Sequence, residues 1–322
     1  MKWVAALLAA IVVSAGEAGC GGDGAEPGAS REATLVLDFQ PNAVHAGIYS
    51  ALERGYYRDA GIDLRVQEPS ASTDAPKLLE AGRAEFAILD IHDLGLARER
   101  GLDVVGIAPI VQRPLAAVLV DLIGVRRPRD LEGRTVGVTG LPSDDAVLDS
   151  VLEADGADPD AVDRVTIGFQ AASALASGKV SAATGFWNAE GVTLSRMGIP
   201  IREFRVDDYG APRYPELVLC TSSSLIEGDP GLVRSVVGAT ERGYRLSVER
   251  PGQALSDLLD QNPGLDRAQQ FAELRALLRA QALDPDEFQP GALRAWARWD
   301  IAHGILDSRP DLGALFDRRF AD

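Results

Sequence analysis

From Thr34 onward the chain repeats one pattern, a short apolar run followed by an amphipathic segment, and this alternation limits the folds open to it. Thr34–Phe39, Asp63–Gln67 and Phe86–Leu89 read as strands, with helices at Ala46–Arg54, Ala75–Ala81 and Leu94–Arg100. Val104–Ile110 and Ala117–Val120 continue the same sheet. Strands that alternate with helices lie side by side under helical cover, so the expected class is α/β with parallel strands.

A second series then begins. Leu131 to Val138 reads as a helix end, a glycine turn and a new strand, followed by strands at Arg164–Ile167, Ala182–Gly185 and Ile201–Val206. The stretch Leu78-Leu79-Glu80-Ala81-Gly82-Arg83-Ala84-Glu85-Phe86-Ala87 is echoed by Ala174-Leu175-Ala176-Ser177-Gly178-Lys179-Val180-Ser181-Ala182-Ala183. Each has a helix, a glycine able to close it in the left-handed conformation, a basic residue at the negative helix end and a buried strand. Two similar lobes follow, 34–122 for the first part of one and 123–213 for the other. The segment 214–322 completes the first lobe with helices. In that segment Asp229-Pro230 is a helix start, and Leu232, Val233, Val236, Val237 and Tyr244 form an apolar stripe. Ligands of open α/β sheets sit beyond the carboxyl ends of strands, here in a cleft between the lobes.

Residues 1–20 read as a signal peptide: Lys2 is the positive start, and Val4 to Ala15 is an apolar run too short to span a bilayer. Glu17-Ala18-Gly19-Cys20 looks like a lipobox, with Glu17 where an aliphatic residue is expected, so Cys20 is the expected lipid anchor. Ordinary secretory cleavage is the alternative. Residues 21–33 form a flexible tether. The only other cysteine, Cys220, sits in the apolar run Leu217–Cys220 and reads as a buried thiol, which leaves no intrachain disulfide and no cysteine-rich metal site. The net charge of −16 argues against nucleic acid as a partner, because phosphate binding needs clustered Lys and Arg.

Enzyme motifs are scarce: there is no nucleophile elbow, no Walker A loop and no dinucleotide fingerprint after a strand. His45, His92 and His303 are too scattered for a metal site, and neither metal nor cofactor is expected. Three loops concentrate polar groups and aromatics: Asp38 to Tyr49 after the first strand, Gly185 to Gly191 at the matching place in the second series, and Asp207 to Glu216. Asn42 has two readings, as the N-cap of the helix that follows or as a ligand contact. Aromatics make up only 6% of the chain, so these loops are enriched in them. Aromatic faces from opposing lobes would sandwich a planar heterocycle while carboxylates accept hydrogen bonds from its amino groups.

These residues carry a family resemblance. Leu37-Asp38-Phe39-Gln40-Pro41-Asn42 with His45-Ala46-Gly47-Ile48-Tyr49, Glu53 to Tyr57, Pro76 to Gly82, Ile110 to Leu115, Gly140 to Asp144, Trp187 to Gly191, Asp207 to Gly210 and Tyr214 to Leu217 stand in a specific order and spacing. In them the chain resembles the solute-binding proteins for thiamine-pyrimidine precursors, within a group that also contains the pyrimidine-phosphate synthases of thiamine biosynthesis. The resemblance implies a two-lobed periplasmic-binding fold of the second type. It implies an unphosphorylated aminopyrimidine ligand (formylaminopyrimidine or hydroxymethylpyrimidine) and, as partners, an ABC permease with its ATPase. By position, Asp38 and Glu190 would meet the exocyclic amine and a ring nitrogen. Phe39, Trp187 and Tyr49 would stack on or wall the ring, with Asn42, His45 and Tyr209 as polar neighbours. Phe39 stands where relatives usually have Trp, which gives a smaller stacking face.

Two features separate importer from synthase. The synthases carry a cysteine-rich motif, and this chain has two cysteines in all. Asp144 and Asp145 occupy the first turn of a helix, where they would repel a phosphorylated ligand; they would also complement the helix dipole. Riboflavin, in the same fold, is the alternative ligand. Sulfonate or nitrate would favour a basic pocket. An enzyme would need a catalytic Lys or His, for which His45 and Lys77 are the candidates.

Overall fold

The computed structural model describes residues 30–70, 74–140, 142–168, 170–283 and 287–320, so the signal segment, Cys20 and most of the tether lie outside the described residues. Among the described residues ten strands form two five-stranded sheets. The first contains β1 (Arg31–Val36), β2 (Ile62–Gln67), β3 (Phe86–Asp90), β4 (Val105–Val111) and β10 (Leu217–Thr221), in the order β2-β1-β3-β10-β4. The second contains β5 (Ala116–Asp121), β6 (Thr135–Val138), β7 (Asp163–Thr166), β8 (Ala182–Phe186) and β9 (Ile201–Arg205), in the order β7-β6-β8-β5-β9.

The two sheets share one plan. In each, the first strand pairs in parallel with its two neighbours, β1 with β2 and β3, and β6 with β7 and β8. In each, one strand runs antiparallel between two others, β10 between β3 and β4, and β5 between β8 and β9. The sequence echo therefore marks equivalent strands, β3 and β8. Gly82 and Gly178, at φ of 62° and 68°, occupy the left-handed region that closes the preceding helices.

Two expectations are corrected. Ala117–Val120 does not continue the first sheet: it belongs to β5, which hydrogen-bonds to β8 and β9. The chain thus leaves the first sheet through residues 112–115, not after residue 122. Four residues are too few for the long crossover that a parallel neighbour in the first sheet would require. The sheets are also mixed rather than parallel, because β5 and β10 run against their partners. The chain returns through residues 206–216, so two crossovers join the halves.

The C-terminal helices pack on the first half. Asp229 caps the helix Pro230–Glu249, accepting from the Leu232 N–H at 2.8 Å, with Pro230 in the first turn. Its apolar stripe covers the helix Ala46–Glu53, and the buried phenols there are satisfied. Tyr244 donates to the Val44 carbonyl at 2.8 Å, and Tyr57 bonds to Thr240 Oγ1 at 2.8 Å. Cys220 is fully buried within β10, and burial pushes its thiol well above the ordinary range.

The two helices meet at glycines. A Cβ at position 243 would stand 2.0 Å from the Gly47 carbonyl oxygen, and one at position 47 would stand 2.4 Å from the Tyr244 ring. Because the first obstacle is backbone, Gly243→Ala must push the helices apart. We expect it to cost about 3 kcal/mol, read from the urea midpoint of unfolding; a loss below about 0.5 kcal/mol would show that this contact is not tight.

Candidate functional site

A cavity opens between the sheets, at the carboxyl ends of strands from both. The first half supplies Asp38 and Phe39 beyond β1, Asp90 at the end of β3, His92 and Asp93 on the helix Ile91–Glu99, and Glu216 just before β10. The second half supplies Ala116, Thr139, Ser143 and Asp144 at the start of the helix Pro142–Ala154, Gly185 and Phe186 at the end of β8, and Glu190. Phe39 and Phe186 thus line the cavity from opposite halves, and Phe186 keeps 41% of its surface exposed. Among the described residues no Lys or Arg lines it.

Of the residues singled out in the sequence, Asp38, Phe39 and Glu190 line the cavity. His45 lies fully buried behind Asp38. Its Nδ1 accepts from the Asn42 N–H at 3.2 Å, so Nε2 carries the hydrogen and donates to Asp38 Oδ1 at 2.8 Å. His45 orients Asp38 and does not itself line the cavity. Asn42 serves as a cap, with its side-chain oxygen accepting from the Val44 N–H at 2.9 Å. Tyr49 is buried in the helical core, where burial raises its phenol to about 12 against a bond with Asn262. Tyr209 packs edge-on against Phe204, with centroids 5.4 Å apart. Neither tyrosine lines the cavity, and the exposed Lys77 lies outside it as well.

Trp187 is also elsewhere. Its ring is 1% exposed, its Nε1–H donates to the Pro114 carbonyl at 2.9 Å, and the Arg205 guanidinium covers its face at 4.2 Å. Successive side chains at a strand end point to opposite faces, so Phe186 and Trp187 cannot both face the cavity; Phe186 does. Trp187 holds the first crossover instead. Its N–H donates to the Leu115 carbonyl at 3.0 Å.

Sequence reasoning passed over Phe186, Asp90, His92, Asp93 and Glu216 as site residues. Asp90 had a usable signal, a carboxylate at the carboxyl end of a strand echoed in the other lobe. Glu216 is tied to both crossovers: its N–H donates to the Val111 carbonyl at 2.7 Å, and its Oε2 accepts from the Leu115 N–H at 3.0 Å. Nearby, Arg113 Nε donates to Asp207 Oδ2 at 2.8 Å, linking residues of the two crossovers directly.

The site is electrostatically crowded. Burial raises Glu216 to about 8, helped by the charge of Asp90, and raises Asp93 to about 7, again with Asp90. Burial likewise raises Asp90, tempered by His92, and raises Glu190, whose Oε2 accepts from the Phe186 N–H at 2.9 Å. Burial opposes a charge on His92, but Asp300 and Asp90 outweigh it and hold the imidazolium up to about 10. Its ring nitrogens meet Asp300 at 2.9 Å and the Tyr214 hydroxyl at 3.1 Å. Behind the site, burial lifts Glu273 of the helix Arg267–Arg279 to about 7, with Glu190 adding to the rise.

Two sheets of shared plan, joined by two crossovers and lined with ligand-sized concave surface between them, define a two-lobed periplasmic binding fold. The chain belongs to the NMT1/THI5-like family, whose pattern matches residues 42–254. It is 35% identical over 227 residues to a formylaminopyrimidine-binding protein of Halalkalibacterium halodurans, covering 70% of this chain and 69% of that one. It is 24% identical to the 4-amino-5-hydroxymethyl-2-methylpyrimidine phosphate synthase of Legionella pneumophila, over 72% of this chain and 74% of that one. The periplasmic aliphatic sulphonate binding protein SsuA of Escherichia coli superposes with a TM-score of 0.73 at 12% identity, covering 90% of this chain and 99% of that one.

The raised carboxyls fix a pH dependence. Asp93, Glu216 and Glu273 keep protons in the folded state that the unfolded chain releases between about pH 4 and pH 8. The folded state binds more protons there, so stability falls as pH rises, and His92 continues the fall from about 6.5 towards 10. We expect the unfolding free energy at about pH 8 to lie at least about 2 kcal/mol below that at about pH 5, measured by urea titration of the ligand-free protein. A flat or rising profile would contradict the assignment.

Proposed function

We propose that the protein is the exported solute-binding component of an ABC importer and captures an unphosphorylated aminopyrimidine precursor of thiamine between its lobes. The observation that carries this is the composition of the cavity wall. Asp38 and Glu190 face it from opposite halves, Phe39 and Phe186 do the same, and among the described residues its one basic side chain is His92, which Asp300 and Tyr214 already hold, with no Lys or Arg beside it. Carboxylates accept from the amino group of a pyrimidine, and phenyl faces suit its ring. A phosphate, sulfonate or nitrate would meet Asp144, whose carboxylate already accepts from the Thr139 N–H at 2.8 Å, and would find no guanidinium or ammonium to neutralise it. The similarity to a formylaminopyrimidine-binding protein supports the same class of ligand.

A binding role is favoured over the synthase reaction by the position of the two enzymatic candidates. His45 is committed to Asp38, and Lys77 stands on an exposed helix outside the cavity. Export rests on the apolar run Val4 to Ala15, and anchoring on Cys20. Among the described residues no helix is long and apolar enough to cross a membrane.

Hydroxymethylpyrimidine or formylaminopyrimidine at about a hundredfold over its dissociation constant should stabilise the fold by about 2.7 kcal/mol, a melting shift of about 5 °C. A shift with riboflavin and none with either pyrimidine would transfer the site to another planar nutrient. Glu190→Gln should weaken pyrimidine binding by about tenfold, since it replaces a charged acceptor by a neutral one, whereas Asp145→Asn should leave it unchanged. Asp145 pairs with Arg164 at 2.7 Å and does not line the cavity. For the anchor, Cys20→Ala should move the protein from the membrane to the soluble fraction; an unchanged distribution would remove the lipid assignment.

A further inference from the structure

The cavity holds more acid than a neutral pyrimidine can use. Among the described residues six carboxyl groups line it, those of Asp38, Asp90, Asp93, Asp144, Glu190 and Glu216. Four of them have partners that account for one oxygen: Asp38 takes the His45 hydrogen, Asp90 caps its helix through the His92 N–H at 2.7 Å, Asp144 accepts from the Thr139 N–H, and Glu190 accepts from the Phe186 N–H. Two are differently placed. Glu216 is 2% exposed and spends one oxygen on the Leu115 N–H, while no described group bonds to the other. The Asp93 side chain makes no hydrogen bond to any described residue, and the charges of Asp90 and Asp38 bear on it against those of His92 and Arg100.

Of the cations in the neighbourhood, His92 and Arg100 bear on Asp93, and His92 on Glu216, without pairing with either carboxyl, and those that do form pairs form them elsewhere. His92 is held by Asp300 and Tyr214, Arg113 by Asp207, and Arg205 by Glu203 and the Trp187 face. A nearly buried carboxyl with an unsatisfied oxygen facing a cavity is costly unless a donor arrives, and like charges on one wall raise that cost. An ammonium brings three donors and a positive charge to the same point.

We infer that the cleft takes its pyrimidine as a cation, an aminopyrimidine with a protonated primary amine on a short arm, the ammonium seated against Asp93 and Glu216 and the ring between Phe39 and Phe186. This rests on the aminopyrimidine reading and narrows it. The neutral hydroxymethyl and formylaminomethyl counterparts present fewer donors and no charge to the acidic wall. They bind more weakly.

The test is calorimetric titration of the mature protein with three pyrimidines that share the 4-amino ring and differ in the arm: aminomethyl, hydroxymethyl and formylaminomethyl. The aminomethyl compound should bind at least about tenfold more tightly than the hydroxymethyl one, the difference between a charge-assisted and a neutral hydrogen bond to a carboxyl. Asp93→Asn, which breaks no hydrogen bond, should reduce that preference to about threefold or less while hydroxymethyl binding persists. The readout is a ratio within one protein, so a general loss of stability does not imitate it. Hydroxymethyl binding as tightly as aminomethyl would overturn the inference and leave the aminopyrimidine site standing. A full preference retained in both Asp93→Asn and Glu216→Gln would remove the ammonium from this wall. No binding of any of the three would remove the site's aminopyrimidine reading along with it.

Discussion

The chain passes between its two sheets twice, and everything at the site depends on how those passages are fixed. Glu216 closes the arrangement: its backbone bonds to β4 and to the helix Ile91–Glu99, and its carboxyl bonds to the first crossover at Leu115. Trp187 holds the same crossover from the second half through Pro114 and Leu115, and Arg113 with Asp207 joins the two passages. These contacts are buried or nearly so, and a buried charged pair that loses its partner costs several kcal/mol. The crossovers therefore behave as fixed points from which the cavity walls extend.

The acidic wall is a local conflict that the surrounding fold sustains. Burying carboxyl groups side by side opposes stability, which is why the protons of Asp93 and Glu216 are retained towards neutral pH. Nothing in the packing of either sheet needs the Asp93 carboxyl, and Glu216 needs only the one oxygen that the Leu115 N–H uses. Sites where local chemistry contradicts the rules that hold elsewhere in a fold are the places where function is concentrated. The single imidazolium of His92, shared among Asp300, Asp90 and Tyr214, lessens the conflict without removing it.

Much of this was legible in the sequence, for identifiable reasons. The αβ echo at residues 78–87 and 174–183 is local, since helix, left-handed glycine and buried strand are written in adjacent residues, and it found β3 and β8. Asp38, Phe39 and Glu190 stood at strand ends, where open sheets hold ligands. What was not legible depended on distance along the chain. An apolar run such as Ala117–Val120 does not say which sheet it joins, and only the four-residue length of its approach bears on that. Phe186 and Trp187 differ by one residue, and the face each takes is decided by the register of β8 against β5, set by residues 70 positions away. Tyr49 ends the stretch singled out after the first strand, but it lies on the helix face turned to the C-terminal helices, which no local pattern reveals.

The contacts that bridge the halves away from the crossovers are of a different kind. Asp266 and Gln269, at the start of the helix Arg267–Arg279, reach Arg196 and Thr193 of the second half at 2.9 Å each. Arg196 and Asp266 are solvent-exposed to 35% and 66%, so the ion pair contributes about 1 kcal/mol or less. Buried polar contacts thus lie at the crossovers, while the far side combines this exposed ion pair with apolar core that the two halves share. Separation of the halves by rotation about residues 112–115 and 206–216 would break the exposed pair and uncover that apolar surface while sparing the crossover contacts. It also withdraws Glu190 and Phe186 from Asp38 and Phe39 without disturbing the Glu216 bonds to Leu115 and Val111, so the acidic wall stays assembled whether or not the opposite wall is in place.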